Sequence, residues 1–449
     1  MLLELLSHQN FADMKLGHDP SFRFAVSRSI YKGMLKYLSS RFGTEYVVQP
    51  LPVDNMAVSF TSGGKAAVTW SPVDDPLEPT AKPTGYIVYK RIGDGAFDNG
   101  TYVKYCNFET SIVPGEVMSF KVAACNDGGI GFASEIVSIG VPAGGSASEA
   151  VLIVNNFDRV SGPAYFDGEE RAGFDNSIDG GVADKRDITF IGEMYNFRRA
   201  DEWITNSRPG FGASYSDLAG NIVAGNTFDY AAVHGKAMLE AGHAFYSCSN
   251  EKFTSDSLFS TSAWAIDIVC GKQVTTPVGD IQKYTVFYPA MQKAIADAAG
   301  RGTHLIVSGA YIGTDIEDSI YPVEIEAASR KEASAFAKNI LGYKFVTNQA
   351  SRRGVINPTV NKVISGMPVL GLVNEMNPVK YCVESPDGIA PVSKSGQVIY
   401  RYADSNISAG VAFEGKGYRC VSYGFPIEAL SSEEAINRLI VKTLEYIKK

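Results

Sequence analysis

The sequence predicts a multidomain protein of α/β plus all-β class, with a short α/β segment over residues 1–48, a β-sandwich over 49–143 and a large parallel-sheet α/β region over 150–449. Two observations carry this reading. Residues 49–142 are short β-branched and aromatic runs of alternating polarity, broken by Gly, Pro and Asp clusters, which is how a sandwich of about 100 residues is written. From Ala150 onward, continuous apolar runs alternate with stretches of helical period, the pattern of a parallel sheet flanked by helices. The Gly/Ser/Ala-rich stretch AGGSASEA separates the two patterns and reads as a joint. A chain of 449 residues is long enough for several cores.

Taken in order, the opening LLELL is expected to be a buried strand carrying one carboxylate, Glu4, followed by a polar SHQN turn. It has neither the basic start nor the small-residue cleavage site of a leader peptide. From Asp19, apolar residues at Phe24, Ile30, Met34, Leu35 and Leu38 predict a helix that Gly43 stops. So small a unit cannot bury a core of its own and should lean on its neighbour. In the sandwich the strand runs are LPVDNMAVSF, KAAVTWSPV, TGYIVYKRI, TYVKYCNF and VMSFKVAACNDGGIGFASEIVSIGV. Beyond the joint, AVLIVNNFDRV, AFYSCSN, WAIDIVCGKQ and THLIVSGAYIGTD are strand-like, while FDYAAVHGKAMLEAG and FYPAMQKAIADAAGRG are helical. Ligands of such a sheet are expected at the carboxyl ends of its strands.

Composition narrows the function classes. The 41 basic and 49 acidic side chains leave a net charge of −8 with no basic run, so nucleic acid is excluded as an expected partner. No apolar stretch approaches the ~20 residues a membrane-spanning helix needs. The six cysteines, Cys106, Cys125, Cys248, Cys270, Cys382 and Cys420, show no CxxC pair or zinc spacing and read as small buried hydrophobes, with a Cys106–Cys125 pairing left open.

Residue patterns also carry resemblances. Trp70, Gly85 to Tyr89, and Phe120 to Asn126 followed by Gly128 to Ser134 resemble the core tryptophan, central strand and last hairpin of a fibronectin type III domain, with Phe120 where a tyrosine usually stands. Leu3-Glu4-Leu5-Leu6-Ser7 and the helix over Ile30 to Leu38 resemble the closing elements of zinc-dependent N-acetylmuramoyl-L-alanine amidases. That resemblance implies a hydrolase of peptidoglycan in which Glu4 is the catalytic acid or base beside a zinc-bound water. Such a site needs three further metal ligands, which in the family lie before this strand. His8 and His18 flank Glu4 with no defensible ligand spacing, so zinc is expected in the full-length family and not on this chain.

The large region resembles class I glutamine amidotransferase-like and flavodoxin-like domains. Ser308 falls near the nucleophile position and Glu428 keeps the triad acid, while Phe425 or Pro426 stands where the histidine would be. Neither can take a proton from a hydroxyl, so the resemblance implies a degraded triad. Cys248, with His234 or His243 as a distant base, is a weaker nucleophile candidate, and His304 belongs to the same region. Asp158, Arg159, Asp267 and Asp315 are strand-end polar groups that either line a ligand cleft with Cys248 or cap helices.

The domain order resembles secreted envelope proteins of Bacteroidetes-type bacteria, some named xanthan lyases. Three readings follow. The first is the C-terminal portion of a secreted peptidoglycan amidase, inactive alone, whose large domain binds cell-wall glycan or peptide. The second is a non-catalytic carbohydrate-binding or cell-envelope interaction protein. The third is a polysaccharide lyase using Tyr195, Arg198 and Arg199.

Overall fold

The computed structural model describes residues 3–190, 192, 196–198, 218–274, 285–314 and 327–449. The opening LLELL forms no strand: residues 3–7 are irregular, and Leu3 and Leu5 are 54% and 52% exposed. A strand needs a neighbour for its backbone hydrogen bonds, and no described strand lies beside this segment. Regular structure begins at α1 (Phe11–Gly17) and α2 (Pro20–Phe42). Asp19 caps α2, Pro20 fills its first turn, and Gly43 ends it at φ 66°, so the predicted stop is met. The apolar stripe is not the docking face, since Met34 and Leu38 remain 53% and 44% exposed. Instead Arg28 and Lys32 pair with Asp75 at 2.9 Å and Glu78 at 3.7 Å, tying the helix to the sandwich.

The sandwich contains β1 (Asp54–Phe60), β2 (Lys65–Ser71), β3 (Gly85–Ile92), β4 (Thr101–Val103), β5 (Asn107–Ser111), β6 (Met118–Asn126), β7 (Gly129–Ala133) and β8 (Val137–Ile139). One layer runs β5-β2-β1 and the other β4-β3-β6-β7, with β8 also on β6. Trp70 is buried between the layers, edge-on to Tyr86 at 5.4 Å, and Phe120 is wholly enclosed. This is a fibronectin type III-like domain. All six cysteines are free thiols.

The rest of the chain adds β9 (Val151–Asn155), β10 (Tyr165–Asp167), β11 (Ala172–Phe174), β12 (Arg186–Asp187), β13 (Val223–Ala224), α3 (Tyr230–Glu240), β14 (Phe245–Ser249), α4 (Asn250–Ser255), β15 (Ala265–Gly271), α5 (Pro289–Gly300) and β16 (His304–Gly309). After them come α6 (Ala327–Phe336), continued by a π-helical turn over Ala337–Leu341, then β17 (Tyr343–Thr347), β18 (Val355–Pro358), β19 (Leu370–Gly371), β20 (Gly388–Pro391), β21 (Gly396–Tyr402), β22 (Ser408–Glu414), β23 (Arg419–Tyr423) and α7 (Glu433–Lys448). Five strands lie parallel in the order β14-β9-β15-β16-β23. The second strand in sequence thus lies outside the first, and the order reverses between β9 and β15. Beyond β23 the sheet continues antiparallel through β22, β21, β18 and β19.

The free edge of β14 does not face solvent. It pairs antiparallel with β1 of the sandwich, Ala57 opposite Cys248 and Val58 opposite Ser247, so one twelve-stranded sheet runs through both units. The stretch expected to be a joint is clamped at both ends. Gly140 N donates to Phe245 O at 3.0 Å, and Val151 N donates to Ala244 O at 2.9 Å. Alternate residues of the parallel strands feed two cores, because side chains switch faces at every residue. Leu152, Val154, Ile266 and Ile268 join the apolar cluster of Val58, Trp70 and Phe120, while Val151, Ile153 and Val269 pack under α3 and α7. No helix among the described residues is long and apolar enough to cross a membrane.

Candidate functional site

The carboxyl ends of the parallel strands hold two charged clusters of opposite character. The first sits at the order reversal. Leaving β9, Arg159 is fully buried and donates through Nε to Ser161 Oγ at 2.7 Å and through Nη1 to Lys272 O at 3.0 Å. Its other arm pairs with Asp179, which also receives Lys272 Nζ at 2.8 Å. Lys272 follows β15 and reaches Glu384 Oε2 at 2.7 Å. The sharp exit of β15 requires Gly271, at φ 48°, because a β-carbon there would overlap the Phe157 ring. Two cations thus face two carboxylates. Burial opposes ionisation of Asp179, but Arg159 and Lys272 hold its carboxyl well below the usual range. Gly180 N donates to Glu384 Oε1 at 3.1 Å, closing the insertion that carries Asp179 over the crevice.

The second cluster lies at the junction with the sandwich and is acidic. Asp54 and Glu135 come from the sandwich, Asp158 from the end of β9 and Glu251 from the first turn of α4. Asn155 Nδ2 donates to Glu135 Oε2 at 2.6 Å, and Asn250 Nδ2 donates to Asp158 Oδ2. Burial, followed by the neighbouring Asp158 and Glu251, pushes the Glu135 carboxyl well up. Burial and then Glu251 do the same to Asp158, and burial and then Asp54 raise Glu251. A carboxyl raised in this way holds its proton more tightly than a solvated one, and a neutral carboxyl both donates and accepts hydrogen bonds. Glu135 and Asp158 line a cleft of about 750 Å³ bounded by Arg23 and Phe24 of α2, Phe132 of β7, and Lys185 and Arg186 of the insertion.

Under the sheet, His234 of α3 is fully buried, with Nδ1 2.6 Å from Asp267 Oδ2 and Nε2 3.4 Å from Glu428 Oε2. The Tyr381 hydroxyl donates to Glu428 Oε1 at 2.7 Å. Burial works against the imidazolium, but Asp267 and Glu428 raise its pKa to about 10.

The residues singled out in the sequence fall as follows. Glu4 and His8 are exposed on irregular chain, while His18 is packed edge-on to Phe174 at 4.8 Å. Burial, then Arg23, lowers the pKa of His18 to about 4. These side chains do not form a zinc cage. Among the described residues no group of three or more His, Cys, Asp or Glu is placed to share a metal ion. Ser308 is fully buried, its Oγ has no hydrogen bond among the described residues, and it is not joined to Glu428, whose partners there are His234 and Tyr381. Phe425 is enclosed against Tyr423 at 5.3 Å.

Cys248 sits in the seam between β1 and β9, wholly buried, and burial followed by Glu135 pushes its thiol well up, so it is a packing residue and not a cleft nucleophile. His243 and His304 lie against Trp264. Asp267, expected at a strand end, is mid-strand beneath the sheet. Asp158 does line the cleft. Asp315, Tyr195 and Arg199 lie outside the described residues, and Arg198 is bound to Asp167 at 2.5 Å.

Sequence reasoning missed Asp179, Lys272 and Glu384, and it missed Glu135 and Glu251. One signal was available for the histidine cluster. Asp267 interrupts the otherwise apolar strand AIDIVCG, and a charge there requires a buried partner.

No protein-family model and no curated protein matches the chain. Among solved structures, it is similar to domains d3–d4 of the rat CD45 extracellular region, at 21% identity over 21% of this chain and 51% of that one, with a TM-score of 0.18. It is also similar to a human protein's fourth fibronectin type III domain, at 20% identity over 21% of this chain and 81% of that one, TM-score 0.19. Domains FN1–FN3 of chicken CNTN1 align at 16% identity over 21% of this chain and 33% of that one, TM-score 0.18. The chain thus spans about half of the CD45 fragment and a third of the CNTN1 fragment.

Proposed function

We propose that this chain is the C-terminal portion of a secreted, peptidoglycan-acting N-acetylmuramoyl-L-alanine amidase and contributes wall recognition rather than hydrolysis. The amidase part rests on the sequence resemblance of Leu3 to Ser7 and of Ile30 to Leu38 to the closing elements of such enzymes; of these two elements the helix forms and the strand does not. The amidotransferase-like and flavodoxin-like reading of the large region is favoured by its strand order, with the first-to-third strand gap as the expected ligand position.

One observation carries the non-hydrolytic part: that position is filled by the chain's own Arg159, Asp179, Lys272 and Glu384, three of them wholly buried. Neither Ser308 nor Cys248 has a base in hydrogen-bond reach among the described residues. Co-sedimentation of the purified chain with peptidoglycan tests this directly. The expected result is binding without release of new L-alanine amino termini and without stoichiometric zinc. Hydrolysis by the chain alone, or tightly held zinc, overturns it.

A second reading, a carbohydrate-binding protein unconnected with any amidase, is favoured by the aromatic and carboxyl lining of the junction cleft. The lyase reading has only Arg198 among the described residues, and that guanidinium is committed to Asp167 and Gly168 O.

A further inference from the structure

We propose that the cleft between α2, the sandwich and the large region is a binding site for a pyranose ring of a glycan. The inference deepens the wall-recognition reading and rests on it for the source of the glycan. A cleft of 750 Å³ lies within the ~300–1,000 Å³ of small-molecule sites. Its walls come from three separate parts of the sequence, so it exists only in the folded chain. Phe24 and Phe132 stand edge-to-face at 5.7 Å and remain 39% and 57% exposed. Two exposed rings facing one concavity are costly to leave in water and offer an apolar surface of the size of a sugar's C–H face.

A pyranose needs a second feature, polar groups around its rim that both give and take hydrogen bonds. Glu135 and Asp158 supply it. Asn155 occupies Oε2 of Glu135 and Asn250 occupies Oδ2 of Asp158, leaving one oxygen on each carboxyl without a hydrogen bond among the described residues. A hydroxyl is also both donor and acceptor, so it suits a carboxyl in either protonation state. Lys185 is 57% exposed at the rim, in an ion pair with Asp184 at 3.5 Å, and Arg186 lies beside it. A phosphate or nucleotide fits poorly, because the floor of the cleft carries carboxyls.

The test uses the full chain, titrated calorimetrically with tetra-N-acetylchitotetraose and co-sedimented with purified sacculi, in wild-type, Phe132→Ala, Glu135→Gln and Tyr37→Ala forms. Tyr37 is 68% exposed outside the cleft lining and serves as control. The expected result is saturable binding of the oligosaccharide, weakened roughly tenfold by Phe132→Ala, reduced by Glu135→Gln and unchanged by Tyr37→Ala, with equal urea midpoints for wild type and Phe132→Ala. Sacculus binding retained in full by both cleft variants overturns the cleft and leaves the wall reading standing. Oligosaccharide binding that depends on Phe132, without sacculus binding by the wild type, upholds the cleft and overturns the wall reading. Binding of neither probe by the wild type overturns both.

Discussion

The two charged clusters at the strand ends lie on either side of β9 and behave oppositely. At the order reversal, Arg159 and Lys272 meet Asp179 and Glu384 in equal number; the carboxylate between the cations, Asp179, is held ionised, while burial, opposed by Lys272, raises Glu384. At the junction, Asp54, Glu135, Asp158 and Glu251 meet no cation in hydrogen-bond contact among the described residues, and three of the four are raised. The difference teaches which strand end is closed. A neutralised network, its lone pairs taken up, replaces a ligand, whereas like charges gathered beside an open cleft destabilise one another and are tolerated where a ligand relieves them.

The largest expected effect breaks the balanced side. Asp179→Ala leaves two buried cations facing a single carboxylate, and urea unfolding should show a loss on the order of 3–5 kcal/mol. A loss below about 1 kcal/mol would mean that the crevice is wetter than its burial implies. Next comes the buried histidine. Its pKa is raised above the ordinary 6.5 to about 10, so its contribution is complete below pH 6.5 and disappears as pH rises toward 10. The gap in unfolding free energy between wild type and His234→Ala should therefore be wider at pH 6 than at pH 10, by roughly 3 kcal/mol, on top of a pH-independent loss of packing.

The acidic side supplies a smaller effect of opposite sign. Glu135 and Asp158 are raised, so the folded state holds their protons more tightly, and stability falls as pH climbs from the ordinary carboxylate range through the raised values. Asp179 is depressed, and its contribution is instead lost as pH falls below the ordinary range. Glu135→Gln should stabilise the chain by about 1 kcal/mol at pH 8 and leave it unchanged at pH 4. A destabilised variant at pH 8 would show that the junction carboxyl is ionised and satisfied.

The smallest effect is kinetic. Iodoacetamide at neutral pH should label the half-buried Cys106 and Cys125 while sparing Cys248 until urea opens the seam, as peptide mass mapping would show. Rapid native labelling of Cys248 would break the sandwich-to-sheet continuity on which the comparison depends.

Much of the fold was legible because periodicity and turn chemistry are local. The alternation in KAAVTWS, the apolar run VLIVN and the stop at Gly43 each reflect a physical preference confined to a few residues. The opening LLELL misled for the converse reason: an apolar run becomes a strand only when another strand offers it a ladder, and that partner is not encoded in the run itself. The site was less legible. Asp158 and Arg159 stood out as strand-end polar groups, but adjacent in sequence they serve opposite clusters, one turned to the junction and the other to the crevice.

What the sequence determined by itself was the order of elements, the sandwich and the parallel sheet, since these follow from hydrophobic period, β-branching and glycine placement. Only the tertiary structure decided that β1 would cap β14 and fuse two units into one sheet, that Asp179 and Glu384 would close the crevice over Arg159 and Lys272, and that Phe24 and Phe132 would share a cleft. The physical reason is range. Backbone preferences act over a few residues, while edge pairing, buried charge compensation and concave surfaces are set by groups up to hundreds of residues apart, whose proximity no local pattern records.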